Sequence, residues 1–226
     1  MTPEKAEILG LLCAEGSHYK YTSTYKEFFK NRGINGKYYQ RTKNLELVEF
    51  TNLDNGLLQH FRNLMLQVYN YAPRPTGVKT SLKIRIVKKD VIKDLVGYTD
   101  FGCTKWGVPY EIEKSENNIK SSFIRGFFDG DGCVTNHDLR IKSVNNKGIY
   151  IFAQLLISLG IKCKVFGPYK ERENWKDYYT LVMPKSEVFK YITLINSNHN
   201  KKRKLLAMLG TNSAGILDYQ EPKADR

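Results

Sequence analysis

Acidic side chains are the minority in this chain. Asp and Glu number 23 against 36 Lys and Arg, which leaves a net charge of +13 and a pI near 9.5. That balance points to a polyanionic partner. Long apolar runs are missing, so no membrane span is expected, and no basic amphipathic helix has an apolar face to spare for a membrane surface. The N-terminus lacks the pattern of a signal peptide, and an intracellular, soluble location is expected. Cysteine is sparse. Cys13, Cys103, Cys133 and Cys163 are too widely spaced for a zinc pair or a disulfide framework and read as small buried hydrophobes. The four histidines, His18, His60, His137 and His199, have no spacing that suits a metal or a catalytic triad.

What is present is a repeat. Ile8-Leu-Gly-Leu-Leu-Cys-Ala-Glu15-Gly16 returns as Ile124-Arg-Gly-Phe-Phe-Asp-Gly-Asp131-Gly132. Thr2 and Pro3 suit the start of a first helix, and Ile8, Leu11, Leu12 and Glu15 then share a face. Gly10 and Ala14 are four residues apart, as are Gly126 and Gly130. Small residues at that spacing let two helix backbones approach closely. Two helices packed on these faces, with Gly10 and Gly126 at the interface, would bring Glu15 and Asp131 together at their C-terminal ends. Gly16 and Gly132 are expected to turn the chain out with positive φ. Two carboxylates at the negative ends of helix dipoles repel one another, and a divalent cation would relieve the conflict.

A second match supports duplication: Lys88-Lys-Asp-Val-Ile-Lys-Asp-Leu95 parallels Lys185-Ser-Glu-Val-Phe-Lys-Tyr-Ile192. The motif acids are 116 positions apart and these segments 97, so the first half carries about 19 extra residues, placed within 20–43. Each half reads helix, two strands, helix, two strands, helix. Helices are expected near 3–15, 54–70 and 88–96, then near 117–131, 146–159 and 184–195. The fold class is α+β, with a first half over 1–97, a Gly- and Pro-bearing linker over 98–118, a second half over 119–197, and a basic segment and polar tail over 198–226.

The strands alternate in a telling way. Leu82, Ile84 and Ile86 would face the core and put Ser81, Lys83 and Arg85 on the other side. Leu139 and Ile141 leave Arg140 and Lys142 exposed, and Ile161, Cys163 and Val165 alternate with Lys162 and Lys164. A sheet face this basic suits nucleic acid. Tyr19, Tyr21, Tyr25, Tyr38 and Tyr39 mingle with Lys20, Lys26, Lys37, Arg41 and Lys43, a mixture that suits phosphate and base contacts and equally a plain hairpin. Gln40 and Asn136 are candidate base readers. Lys79, His137, Lys170, Arg172 and Lys176 are further candidates for DNA contact, and Lys201–Lys204 reads as a phosphate contact or a solvated helix face.

The paired motifs resemble those of the LAGLIDADG homing endonucleases of the single-chain, two-repeat type, over about residues 3–196. The resemblance implies two pseudo-symmetric αββαββα halves, with the motif helices at the central interface and the sheets forming a saddle over DNA. It implies that Glu15 and Asp131 bind Mg2+ beneath the scissile phosphates, with the carbonyls of Ala14 and Gly130 as further ligands. It also implies a lysine bordering the site in each half, for which Lys88 and Lys185 are the matched candidates and Lys142 the reserve. The expected activity is a sequence-specific, Mg2+-dependent, staggered double-strand cut in a long non-palindromic DNA target, made by a monomer. Mn2+ is expected to substitute, and Ca2+ to bind without efficient cleavage. The alternatives are an intron RNA maturase, with intron RNA as partner, and a non-cleaving DNA-binding regulator. Two departures from the pattern stand out: Cys13 replaces the Asp that the second copy keeps as Asp129, and the first copy ends in Glu rather than Asp. The longer Glu15 implies two inequivalent metal positions and different cutting rates for the two strands.

Overall fold

The computed structural model describes the backbone of residues 1–29, 37–78 and 81–217, with side chains except at 29, 37, 78, 81 and 212–217. Lys79 lies outside the described residues, and Lys37 and Ser81 are described by backbone alone. The first half runs α1 (Pro3–Glu15), β1 (Gly16–Phe29), β2 (Lys37–Thr51), α2 (Asn55–Tyr69), β3 (Pro75–Val78), β4 (Ser81–Ile86) and α3 (Lys89–Tyr98). After a short α4 (Tyr110–Glu113), the second half repeats the order as α5 (Asn117–Asp131), β5 (Gly132–Val134), β6 (Asp138–Ser143), α6 (Asn146–Ser158), β7 (Lys164–Tyr169), β8 (Tyr178–Pro184) and α7 (Val188–Leu194), the last entered through a 3-10 turn at Lys185–Glu187. The two four-stranded antiparallel sheets have matching orders, β1-β2-β4-β3 and β5-β6-β8-β7. The fold is therefore α+β, with each half αββαββα.

The register locates the asymmetry between the halves. Gly16 pairs with Phe50 and Gly132 with Ile141, 34 and 9 residues on, so the first hairpin is longer by 25 residues. Phe50 then pairs with Ile84 and Ile141 with Leu181, spans of 34 and 40, so six residues are returned elsewhere. The net excess of 19 agrees with the sequence, but the hairpin itself holds more than that.

Three segments differ from the sequence reading. β7 begins at Lys164, and Ile161–Cys163 form the approach to it, with Ile161 buried. The stretch 98–118 is no loose tether, because Phe101, Trp106, Val108 and Ile112 are buried in the core. The Lys201–Lys204 run belongs to an 18-residue helix, α8 (Asn200–Leu217), which continues where a polar tail was expected. Buried Leu206 and Leu209 anchor it.

The centre of the molecule is the packing of α1 on α5, and both helices are buried along most of their length. Thr2 Oγ1 accepts from the Lys5 amide, and Pro3 occupies the first turn of α1, where its missing N–H costs nothing. Stacked Phe50 and Phe61 fill the first half's core, and Phe127 sits between Trp106 and Phe152 in the second. No helix is long and apolar enough to cross a membrane among the described residues.

Candidate active site and nucleic-acid interface

The approach of α1 and α5 is set by glycine. A Cβ on Gly10 would lie 2.1 Å from the Phe123 carbonyl oxygen, and one on Gly126 would lie 2.3 Å from that of Glu7. At the end of the interface, a Cβ on Gly130 would strike the Ala14 side chain at 2.5 Å and Glu15 Cγ at 3.0 Å. The small faces thus bring Glu15 and Asp131, the last residues of their helices, into one place. Gly16 and Gly132 do not turn with positive φ. They leave the helices extended, at φ −91° and −71°. They are glycines for lack of room: a Cβ would meet the Leu12 carbonyl oxygen at 2.3 Å in one case and the Phe128 ring at 2.3 Å in the other.

Burial raises the pKa of both acids. Burial pushes Asp131 up to about 7, with the Glu15 charge adding to the shift and Lys202 opposing it. Burial also raises Glu15, again against Lys202. Asp131 keeps an open side toward solvent yet sits deep among protein atoms, and that depth governs its shift. No hydrogen bond holds either carboxylate's charge in the described structure. Beside Asp131 opens a cavity of about 340 Å³, whose lining includes Ala14, Trp106, Lys142, Trp175 and Lys176.

Among the described residues, the cation whose charge reaches both acids is Lys202, and neither Lys88 nor Lys185 does so. Lys88 is exposed and turned to Asp90 at 3.3 Å, while Lys185 opens the 3-10 turn before α7. Lys202 Nζ donates to the carbonyl oxygens of Phe128, Asp129 and Gly130 at 2.8, 2.8 and 2.9 Å. It thereby caps the C-terminal end of α5 with a positive charge, the favourable sign there. Burial lowers its pKa, and Asp129, Asp131 and Glu15 oppose that. The lysine run in the sequence marks the place, but only the helical phase of α8 shows which of its members turns inward. Lys142, by contrast, lines the Asp131 cavity.

A second polar group lies behind the site and went unread in the sequence. Glu7, almost fully buried, accepts from Arg125 Nε and Nη2 at 3.1 and 2.7 Å, and from Asn198 Nδ2 at 2.7 Å, and it meets His60 Nε2 at 2.6 Å. Burial alone would raise its pKa, but the His60 and Arg125 bonds hold it down at about 2. Asp129 is a structural acid: fully buried, it accepts from Ser197 Oγ and the Asn198 amide. These bonds tie α1, α2 and α5 to the approach to α8.

The sheet register sorts the candidate DNA contacts by face. Residues opposite one another on paired strands share a face, and faces alternate along each strand. Ile84 and Ile86 are buried, so Lys83 and Arg85 point away from the core together with Glu49. Tyr25, Arg41 and Lys43 share that open face. Lys20 and Gln40 lie on the opposite face, because they keep step with buried Val48 and Phe50 rather than with Glu49. In the second half Arg140, Lys142 and Lys164 share the open face. Asn136 and His137 are exposed in the β5–β6 turn, and Lys170, Arg172 and Lys176 are exposed in the β7–β8 loop, where Arg172 stacks on Trp175. His18 is spoken for by Asp100 and Glu46.

Residues 118–210 match the model of the LAGLIDADG-like domain family. The range runs through much of α8, beyond the boundary at 197 read from the sequence. A curated relative, a DNA polymerase of Methanocaldococcus jannaschii, is 27% identical over 216 residues, and the chain spans 89% of its own length but 12% of that protein. Among solved structures, I-DmoI in complex with DNA and Ca is 20% identical with a TM-score of 0.61, covering 92% of this chain and 97% of that one. I-DmoI has also been solved in complex with DNA and Mn. The I-LtrWI LAGLIDADG homing endonuclease bound to target DNA is 11% identical with a TM-score of 0.56, covering 94% and 91%. The chain carries a LAGLIDADG-like domain over residues 118–210 and, across both halves, has the fold of the LAGLIDADG homing endonucleases.

Proposed function

We propose that this protein is a sequence-specific DNA endonuclease that makes a staggered double-strand cut with divalent metal. The observation that carries the reading is the convergence of Glu15 and Asp131, one from each half, with the pKa of both raised and no internal hydrogen bond to their charge. Two unneutralised acids facing a polyanion are costly for a protein that only binds, and this argues against a non-cleaving regulator.

The donors fit a hard cation. The two carboxylates and the Ala14 and Gly130 carbonyls are oxygen ligands of the kind Mg2+ takes, with Mn2+ as a substitute and Ca2+ as a binding, poorly cleaving replacement. When bound, such a metal supplies activated water and neutralises charge on the phosphate. The chain's own residues prepare the place. Gly10, Gly126 and Gly130 set the separation of the acids. The Lys202 ammonium already engages the Gly130 carbonyl on the Asp131 side, so the two ligand sets are unequal, as are the two acids in length. Lys142, beside Asp131, and Lys202 are the cations placed to meet a scissile phosphate or order water there, in place of Lys88 and Lys185. The open face with Arg41, Lys43, Lys83, Arg85, Arg140, Lys142 and Lys164 would track a long, non-palindromic duplex as a saddle, bound by a monomer.

The test is incubation with a plasmid library carrying randomised inserts, with and without Mg2+, followed by mapping of the ends. Metal-dependent ends at one long, asymmetric sequence are expected. Absence of ends with Mg2+ or Mn2+, in a preparation that binds the library, would sink the assignment.

A further inference from the structure

The open sheet face carries acids where a DNA-binding surface would be expected to avoid them. Glu49 is 5% exposed, and its two oxygens take Lys83 Nζ at 2.8 Å and Arg85 Nε at 2.9 Å. Asp138 is 9% exposed and accepts from Arg140 Nε and Nη2, each at 2.7 Å. Each acid repels phosphate, so affinity does not explain its presence. In both pairs the acid takes the Nε side of the guanidinium, and both arginines are otherwise exposed.

The two forks are near the motif acids but are not equivalent. Glu49 pairs with Ser17, two residues past Glu15, and Arg140 pairs with Cys133, two residues past Asp131, so Glu49 holds in β2 the place that Arg140 holds in β6. Arg85 lies opposite Glu49 on β4, one strand further out. Two strand residues span about 7 Å, or about two base pairs at 3.4 Å each. A guanidinium free at its outer edge donates two parallel bonds to O6 and N7 of guanine. Fixing its plane beforehand removes the rotamer entropy that binding would otherwise cost.

Resting on the endonuclease reading above, we propose that Glu49 and Asp138 are specificity-determining positioning residues: they hold Arg85 and Arg140 to read one guanine in each half, within about two to four base pairs of the phosphates at the catalytic acids, Arg85 the further out. Arg85 and Arg140 are the readers, and the acids act through them.

Selection from a randomised duplex library in EDTA, so that nothing is cut, gives the wild-type consensus, which should hold a required G·C pair in each half, close to the cut. Glu49→Gln should erase the preference at the first-half pair and Asp138→Asn at the second, each by about tenfold, while affinity for random duplex stays level or rises. Arg85→Lys and Arg140→Lys leave the buried acids in place and should lose the same preferences, and each acid–arginine double variant should be no worse than its arginine variant alone. Retention of both guanine preferences in the acid variants would overturn the proposal. So would a uniform loss of affinity across sequences, or a switch at a cytosine that the carboxylate itself had read. If the wild type enriches no sequence at all, the DNA-recognition reading fails first.

Discussion

Gly10 and Gly126 are one position seen twice. Each faces the carbonyl of the residue three places before the other, Phe123 in one case and Glu7 in the other, and neither has room for a methyl group. The contact is backbone on backbone, so no flexible side chain can yield. Gly10→Ala or Gly126→Ala should therefore force α1 and α5 apart and destabilise the protein by about 1–3 kcal/mol or more, the cost of overpacking a core. Glu15 and Asp131 should separate with the helices, so cleavage should fall further than stability. Urea unfolding gives the first quantity. A change within about 0.5 kcal/mol in both variants, the range of an ordinary surface substitution, would show that the helices are not held this way.

This interface was legible in the sequence because it is written in residue types that serve no other purpose there: glycine in mid-helix costs stability unless close approach requires it. Helix positions and inward-facing strand residues followed from periodicity for the same reason, since burial and alternation are local signals. What periodicity does not carry is a side chain's partner in space. Lys202 sits in a run of like charges and is singled out only by the α8 phase that brings it to the end of α5. Arg125 looks like a variable position within the repeat, and Glu7 lies just before the repeat, yet the two close a part-buried ion pair across the halves. The placement of Lys20 and Gln40 depended on the hairpin's register, which a one-residue shift reverses. The left-handed turn expected of Gly16 and Gly132 overlooked the other reason for glycine, want of space.

The acids give the most direct test of the chemistry. Glu15→Gln and Asp131→Asn each remove a charged oxygen ligand while keeping the shape. Either should abolish double-strand cleavage and leave DNA affinity nearly intact, because affinity rests on phosphate contacts elsewhere. Supercoiled plasmid bearing the target reports the result. A full rate of linearisation by either variant would remove that residue from the site.

The raised acids also tie stability to pH. Asp131, near 7, and Asp129, near 6, bind protons more tightly folded than unfolded, and Glu15 moves the same way. The unfolded chain then binds fewer protons between about pH 4 and 7, so metal-free stability should fall as pH rises through that window. Glu7, held near 2, acts in the opposite sense but only at lower pH. Added Mg2+ or Ca2+ should raise the melting temperature at pH 8 and have little effect at pH 5, where protons compete for the same oxygens. Thermal melts across pH 5–8, with and without metal, check both. A metal effect independent of pH would place binding away from these acids.

Lys202 should show itself through the pH profile of cutting. Lys202→Met removes three bonds to the end of α5 and the cation that holds down the pKa of Asp131. Asp131 should then ionise at higher pH, and the rise of the cleavage rate should shift to the alkaline side, with loss greatest near pH 7. Single-turnover rates from pH 6 to 9 resolve the shift. A lower rate with the profile unmoved would mean that Lys202 supports the helix and leaves the acids untouched.

The unequal hairpins predict an unequal footprint. β1 has 14 residues and β5 has 3, about 48 Å and 10 Å of antiparallel strand respectively. β4 pairs with β2 only over Val48–Thr51, so most of the first hairpin projects past its sheet as a two-stranded ribbon. Its open face carries Tyr19, Tyr21, Tyr25, Arg41 and Lys43 outward from the centre. At 3.4 Å per base pair, the ribbon could follow about ten base pairs more than the short hairpin does. Hydroxyl-radical footprinting should show protection reaching further on the side bound by the first half. Shortening the ribbon by deleting 22–44 should retract that boundary alone and leave the other in place. Protection equal on both sides of the cut, or a boundary unmoved by the deletion, would mean that the ribbon lies off the DNA.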